Sequence, residues 1–239
     1  MTARLSPEPW LTRLAEALPD AASGDDADAV HRLRVATGRL ITWLDLDGRR
    51  ALQDDLRWLR DAAGAVRDRD VLLLTSIPIG LRSRLRRERR QARDTLALVA
   101  GSERVAALLR ALALSGAVPL PRARRALSAL APRAVRRGAP LAAAAGRPVS
   151  AADIVAIHAA RRALRRVRYA LDWLGRPSSR VAACQEALGA LNDASVALDL
   201  ADGLRGADAW RSAKAARLPS LATEAIDAWI ALVPHLKEL

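Results

Sequence analysis

Cysteine is nearly missing from this chain. Cys184 stands alone among 239 residues, so no intrachain disulfide can form and a cysteine metal cluster is excluded. Lysine is almost as scarce: of 39 Lys and Arg only Lys214 and Lys237 are lysines, which leaves 37 arginines. Phenylalanine is absent and aromatics make up 3% of the chain, in keeping with a composition rich in residues of GC-rich codons. Few side chains are therefore available for stacking nucleic-acid bases. No stretch approaches the ~18 apolar residues of a membrane span. The most apolar run, residues 105–114, is broken by Arg110. The N-terminal 18 residues carry Arg4, Glu8, Arg13 and Glu16 and lack the unbroken apolar core of a signal peptide. There is no glycine-rich loop of the P-loop type, and no nucleophile stands with its base. A soluble protein of a reducing compartment, the cytoplasm, is expected.

What is present is charge and helix-forming material. The net charge is +13 and the hydrophobic fraction 51%, enough for a core and too much for a disordered basic tail. Guanidinium groups stay charged and offer a fork that fits phosphate oxygens in a bidentate way.

Ala, Leu and Arg dominate, all good helix formers, and no segment alternates with the period of a strand. Helices are expected over about residues 4–18 (ended by Pro19 through Gly24), 28–46, from the Asp47-Gly48 turn to about 75, and 81–114 with an interruption near Gly101. Gly116, Pro119 and Pro121 mark a midpoint. Further helices are expected over about 122–137, from a capping box at Ser150-Ala151-Ala152-Asp153 to Gly175, over 178–204, and as one or two pieces broken by Pro219. Gly138, Pro140, Gly146 and Pro148 read as a linker. This makes an all-α chain of two four-helix bundles, with halves of about 1–117 and 118–239 joined as one domain.

Two motifs recur in the same order. His31-Arg32-Leu33-Arg34-Val35-Ala36-Thr37-Gly38-Arg39-Leu40 returns at an offset of 127 as the segment opened by His158, which carries Arg161, Arg162, Arg165, Arg166 and Arg168. Gly64-Ala65-Val66-Arg67-Asp68-Arg69-Asp70-Val71 returns at an offset of 125 as Gly189-Ala190-Leu191-Asn192-Asp193-Ala194-Ser195-Val196. Ordered recurrence at nearly one offset points to an internal duplication, and hence to pseudo-symmetric halves.

At 100° per residue, Arg161, Arg165 and Arg168 fall on one side of His158 and Arg162 and Arg166 on the other, all within about 80°. Ala163, Leu164, Val167, Ala170 and Leu171 take the opposite face. No acid relieves the five arginines, and like charges at this spacing repel. An anion partner accounts for such a face better than solubility does. The first copy is weaker: His31, Arg34 and Arg39 remain, but Gly38 and Ile41 stand where the second has Arg165 and Arg168. Another basic face comprises Arg82, Arg86, Arg89 and Arg93, flanked by Arg90 and partly neutralised by Glu88 and Asp94. A third cluster, Arg122, Arg124, Arg125, Arg133, Arg136 and Arg137, either lines a site or faces water.

The histidines are ligand-contacting or structural rather than catalytic. Neighbouring arginines push an imidazole pKa down and a bound phosphate pushes it up. Asp68, Asp70, Asn192 and Asp193 offer oxygen ligands of the kind Mg²⁺ takes, but beside Arg67 and Arg69 an interhelical salt bridge or a buried hydrogen-bonded carboxylate is the better reading. No metal or other cofactor is expected.

The residues His31-x-x-Arg34-Val35-Ala36-x-x-Arg39-Leu40 and His158-x-x-Arg161-x-x-x-Arg165-Arg166-Val167-Arg168-Tyr169 resemble the CHAD family, the conserved-histidine α-helical domain. Gly64-x-Val66-Arg67-Asp68-x-Asp70-Val71 and Leu188-Gly189-x-Leu191-Asn192-Asp193 complete the likeness. It spans nearly the whole chain. The resemblance implies a pseudo-symmetric pair of four-helix bundles that binds inorganic polyphosphate through basic helix faces and is often found beside triphosphate-processing domains. No such domain is expected here, since the repeat uses up the chain. The expected function is non-catalytic polyphosphate binding on a basic surface or channel lined by His31, Arg34, Arg39, Arg82, Arg86, Arg89, Arg93, His158, Arg161, Arg162, Arg165, Arg166 and Arg168. Polyphosphate granules or triphosphate-processing enzymes are the expected company, and no membrane. The alternative is a helical adaptor for nucleic acid or another polyanion. An enzyme acting on polyphosphate lacks an evident nucleophile or metal cage.

Overall fold

A computed structural model describes residues 3–23, 26–147 and 149–239. It is 80% helical, which settles the all-α class. Gly24 and Pro148, two of the expected breakers, lie outside the described residues. The chain divides into two compact units, Met1–Ala123 and Arg124–Leu239.

The first unit holds α1 (Glu8–Ser23), α2 (Ala27–Leu46), α3 (Gln53–Leu73), α4 (Ile79–Ala100) and α5 (Glu103–Ala113). Helix α2 packs on α1 and α3, and α4 on α3 and α1. The apolar stripe read for α2 is the buried one: Leu33, Leu40 and Leu44 are fully enclosed. Ser102 caps α5 by accepting a hydrogen bond from the Val105 N–H, so the long basic segment is two helices that part at Gly101 and Ser102. The Asp47-Gly48 turn forms, with Gly48 at φ 68°.

Four expectations are corrected. The first helix starts at Glu8 rather than residue 4 and runs through Pro19, whose missing donor lies on an exposed face. Arg4–Leu5 instead pair antiparallel, as strand β1, with β2 (Val118–Pro119), although no strand signal is legible there. Two residues are too few for alternation to register, and the pair is held by its surroundings. The Arg4 guanidinium donates to the Ala117 carbonyl at 2.7 Å. The indole N–H of Trp43, a fully buried ring, donates to the Leu5 carbonyl at 3.1 Å.

The second unit holds α6 (Leu120–Ala143, whose first turn precedes the division), α7 (Ala151–Trp173), α8 (Ser179–Leu200), α9 (Asp208–Ala215) and α10 (Leu218–Lys237). The third correction lies in α6, which continues through Gly138 and Pro140, read as linker. Gly138 is buried against the fully enclosed Trp229 of α10, so contact with a neighbouring helix outweighs the local breaker signal. The fourth is Pro219, which sits in the first turn of α10 and begins that helix rather than breaking it.

The capping box at Ser150 is present. Its Oγ accepts from the Asp153 N–H, and Asp153 accepts from the Ser150 N–H. Both carboxylate oxygens of Asp153 also take the Arg147 fork, at 2.7 and 2.8 Å. Arg147, then Ser150, hold that carboxyl well below the usual carboxylate range. Helix α8 is buried along most of its circumference because α7, α9 and α10 all pack against it. Cys184 lies inside it, and burial pushes its thiol up to about 12, which makes it inert.

Candidate functional site

The histidine motifs lie on α2 and α7, and their echoes on the helices that follow. Burying Leu33, Ala36 and Leu40 turns His31 and Arg34 of α2 toward the opposite side. His31 is exposed and Arg34 half-buried. The Arg34 guanidinium crosses to α3, where it occupies the space a Cβ on Gly64 would need. Its Nη2 then stands 3.9 Å from Oδ1 of Asp68, one helical turn further along. The second copy repeats this. Leu164, Val167 and Leu171 are fully buried, and Arg161 reaches from α7 to α8. A Cβ on Gly189 would lie 3.5 Å from Arg161 Nη2, and Arg161 Nη1 is 3.6 Å from Asp193 Oδ1. In each unit a His-x-x-Arg on one helix thus rests on a Gly-x-x-x-Asp of the next. In the first unit the missing Cβ of Gly64 admits the guanidinium, in the second Gly189 lies at ordinary contact distance from it, and in both an aspartate faces it.

Both imidazoles are held below their ordinary pKa. For His31, partial desolvation of an otherwise exposed ring is the first cause, then the positive charges of Arg67 and Arg34, with Asp28 opposing. For His158 burial leads, followed by Arg162 and Arg161, with Asp193 opposing. Arg67, which the sequence places only beside the acidic motif, belongs to this group as well. Its counterpart is Asn192, buried and uncharged. The first copy, poorer by the cations at Gly38 and Ile41 (both buried), therefore carries one on α3 that the second lacks. The signal was legible as one of three charge differences between the two echoes, beside Arg69 against Ala194 and Asp70 against Ser195. Arg39 is half-buried and lies over the Trp10 ring, 4.9 Å from its centroid. Arg165 and Arg168 are half-buried, while Arg162 and Arg166 are exposed.

The α4 arginines gather. Arg82, Arg86, Arg89, Arg90 and Arg93 line, with Leu73, one cavity of about 400 Å³. They are not equivalent. Arg82 donates to the carbonyls of Leu73 and Thr75, both at 3.2 Å, and so closes the C-terminal end of α3. Arg89 donates through Nε to Asp70, a carboxylate only 5% exposed. Glu88 pairs with Arg84 at 2.8 Å and Arg69 at 3.4 Å, and these, Arg84 foremost, hold its pKa low. Among the described residues Arg86, Arg90 and Arg93 have no ion-pair partner, and the Nε of Arg93 is buried without an acceptor. Asp68, Asp70 and Asp193 thus make interhelical pairs with arginine, as the acidic echo led one to expect. The third cluster is exposed throughout, with Arg122 lying 3.4 Å from Asp47. A larger, mostly apolar cavity of about 890 Å³ in the second unit has Arg147 as its one lining arginine, already paired with Asp153.

Arginine-lined helix faces on an all-α scaffold are what the structure presents. The CHAD domain model matches residues 10–202, and the chain belongs to the CHAD-domain family. Two solved structures share the fold. The CHAD domain from the plant Ricinus communis superposes with a TM-score of 0.71 at 24% identity, covering 98% of this chain and 92% of its own. PptA from Streptomyces chartreusis gives 0.68 at 19% identity, covering 98% and 97%. No curated protein matches the chain.

Proposed function

We propose that this chain is a non-catalytic binder of inorganic polyphosphate, held on basic helix surfaces lined by arginines and the two histidines. The observation that carries this reading is the α4 cavity, where five arginines converge and only Arg89 has a carboxylate partner among the described residues, Arg82 being bonded to backbone carbonyls. Like charges so placed repel, and an anion laid among them relieves that repulsion. Family membership supports phosphate as the anion, and the guanidinium fork suits its oxygens.

A linear phosphate polymer has no bases to stack, and the aromatic side chains fit that. Trp43 and Trp229 are fully buried, Trp10 lies against Arg13 and Arg39, and Trp58 lies 4.4 Å from the Arg104 guanidinium. We take the two units, each described with five helices rather than the four expected, as pseudo-symmetric copies of one duplicated plan, supported by the recurring His-x-x-Arg contact with Gly-x-x-x-Asp. The cytoplasm, polyphosphate granules and triphosphate-processing enzymes are the setting this reading implies.

Calorimetric titration with polyphosphates of graded length tests it. Affinity is expected to rise with chain length and fall with salt. Changing Arg161, Arg165 and Arg168 together to Glu is expected to abolish or greatly weaken binding while helical content stays. Failure of long polyphosphate to displace RNA or DNA at equal charge concentration would favour nucleic acid instead. Phosphate release in the presence of Mg²⁺ or Mn²⁺ would make the protein an enzyme.

A further inference from the structure

Asp68 and Asp193 stand out from the other carboxylates near the basic surfaces. Asp70 is buried and holds Arg89 as part of the α3–α4 interface. Asp68 and Asp193 are instead far more exposed than the arginines they face: side-chain exposure is 67% against 24% for Asp68 and Arg34, and 54% against 27% for Asp193 and Arg161. Both carboxylates are thus open to solvent beside a more enclosed guanidinium. Their separations of 3.9 and 3.6 Å exceed a charge-assisted hydrogen bond, so the contact is Coulombic and adds little to folding. For Arg34, positioning is supplied elsewhere, by the space above Gly64. Asp193 Oδ1 also accepts from the Asn192 amide at 3.1 Å and keeps a partner if Arg161 turns to another anion. The arrangement occurs once in each unit.

We propose that Asp68 and Asp193 are built-in competitors at Arg34 and Arg161, specificity-determining carboxylates that a phosphate must displace. The inference rests on the polyphosphate reading above. A lone phosphate exchanges one anion for another at each arginine and gains little. A polymer displaces the carboxylate while its other phosphates engage further arginines, so the exchange is made intramolecular. The two aspartates thereby select chains over small phosphates.

The test uses the full chain and four proteins: wild type, D68N/D193N, the control D61N/E186Q, and D68N alone. The control removes the same charge from exposed positions on the same two helices, α3 and α8. Each is titrated calorimetrically with tripolyphosphate and long-chain polyphosphate at matched low and high ionic strength, with circular dichroism and melting as checks of folding. D68N/D193N is expected to bind tripolyphosphate at least roughly ten-fold tighter than wild type, with a smaller relative gain for the long chain and a steeper loss with salt. D68N alone falls between, and the control changes affinity much less. Equal gains in the control, or unchanged or weaker binding in a folded D68N/D193N, would overturn the competition while leaving polyphosphate binding intact. Binding of neither ligand by any of the proteins would overturn both.

Discussion

The guanidinium of Arg34 fills the space in which a side chain at Gly64 would begin, so the absence of a Cβ on α3 sets where a charge from α2 comes to rest. The obstructed atom is the far end of a flexible side chain. Gly64→Ala should therefore leave the fold intact, and alanine's helix propensity favours α3 by up to about 1 kcal/mol. The guanidinium must leave its place beside Asp68, and polyphosphate affinity is expected to drop several-fold. At Gly189 the added Cβ would meet Arg161 only at an ordinary contact distance of 3.5 Å. Gly189→Ala should then change affinity little. Parallel melting curves and titrations of the two variants check the asymmetry. Equal effects on binding would show that the glycine contact is not what places the arginine.

Within the α4 row, Arg89 and Arg86 should respond differently to removal. Arg89→Ala leaves Asp70, 5% exposed, without its cation, and stranding a buried carboxylate costs about 3 kcal/mol. Arg86 is exposed and has no carboxylate partner among the described residues, so Arg86→Ala is expected to stay within about 0.5 kcal/mol of wild-type stability. Both should weaken polyphosphate binding. Denaturant unfolding beside titration separates them: Arg89→Ala loses stability and affinity, Arg86→Ala affinity alone.

The helices were legible because their signals are local. The stripe of Leu33, Leu40 and Leu44, the Ser150 cap and the Asp47-Gly48 turn each declare themselves within a few residues. The misread places were set by distant partners. Gly138 and Pro140 look like a linker until Trp229 packs on Gly138, and Arg4–Leu5 look helical until they meet Val118–Pro119. In the candidate site, spacing separated the arginines of α2 and α7 from the buried stripes of those helices. It did not show that Arg34, Arg89 and Arg161 each face an aspartate from the following or preceding helix, because that depends on register between helices. Arg67 was missed because it lies on a different helix from the histidine it faces.

The two histidines should couple binding to protons. His31 and His158 both sit below the ordinary value of 6.5, through desolvation first and then through Arg67 and Arg34, or Arg162 and Arg161. A histidine lowered in the folded state favours folding above 6.5. That contribution is lost as pH falls from 6.5 through the depressed folded value, because the unfolded chain takes up the proton more readily. The free protein is therefore expected to melt earlier as pH falls through this window. A phosphate chain beside the imidazoles acts in the opposite sense and favours the protonated form. Binding should then take up protons, and affinity should rise as pH drops from about 8 to about 6. Titration in two buffers of different ionisation enthalpy measures the uptake directly. In a His31→Ala, His158→Ala double variant the uptake and the pH dependence in that range should largely vanish, while the salt dependence set by the arginines remains. Full proton uptake in the double variant would remove both histidines from the ligand's surroundings and leave them as structural groups.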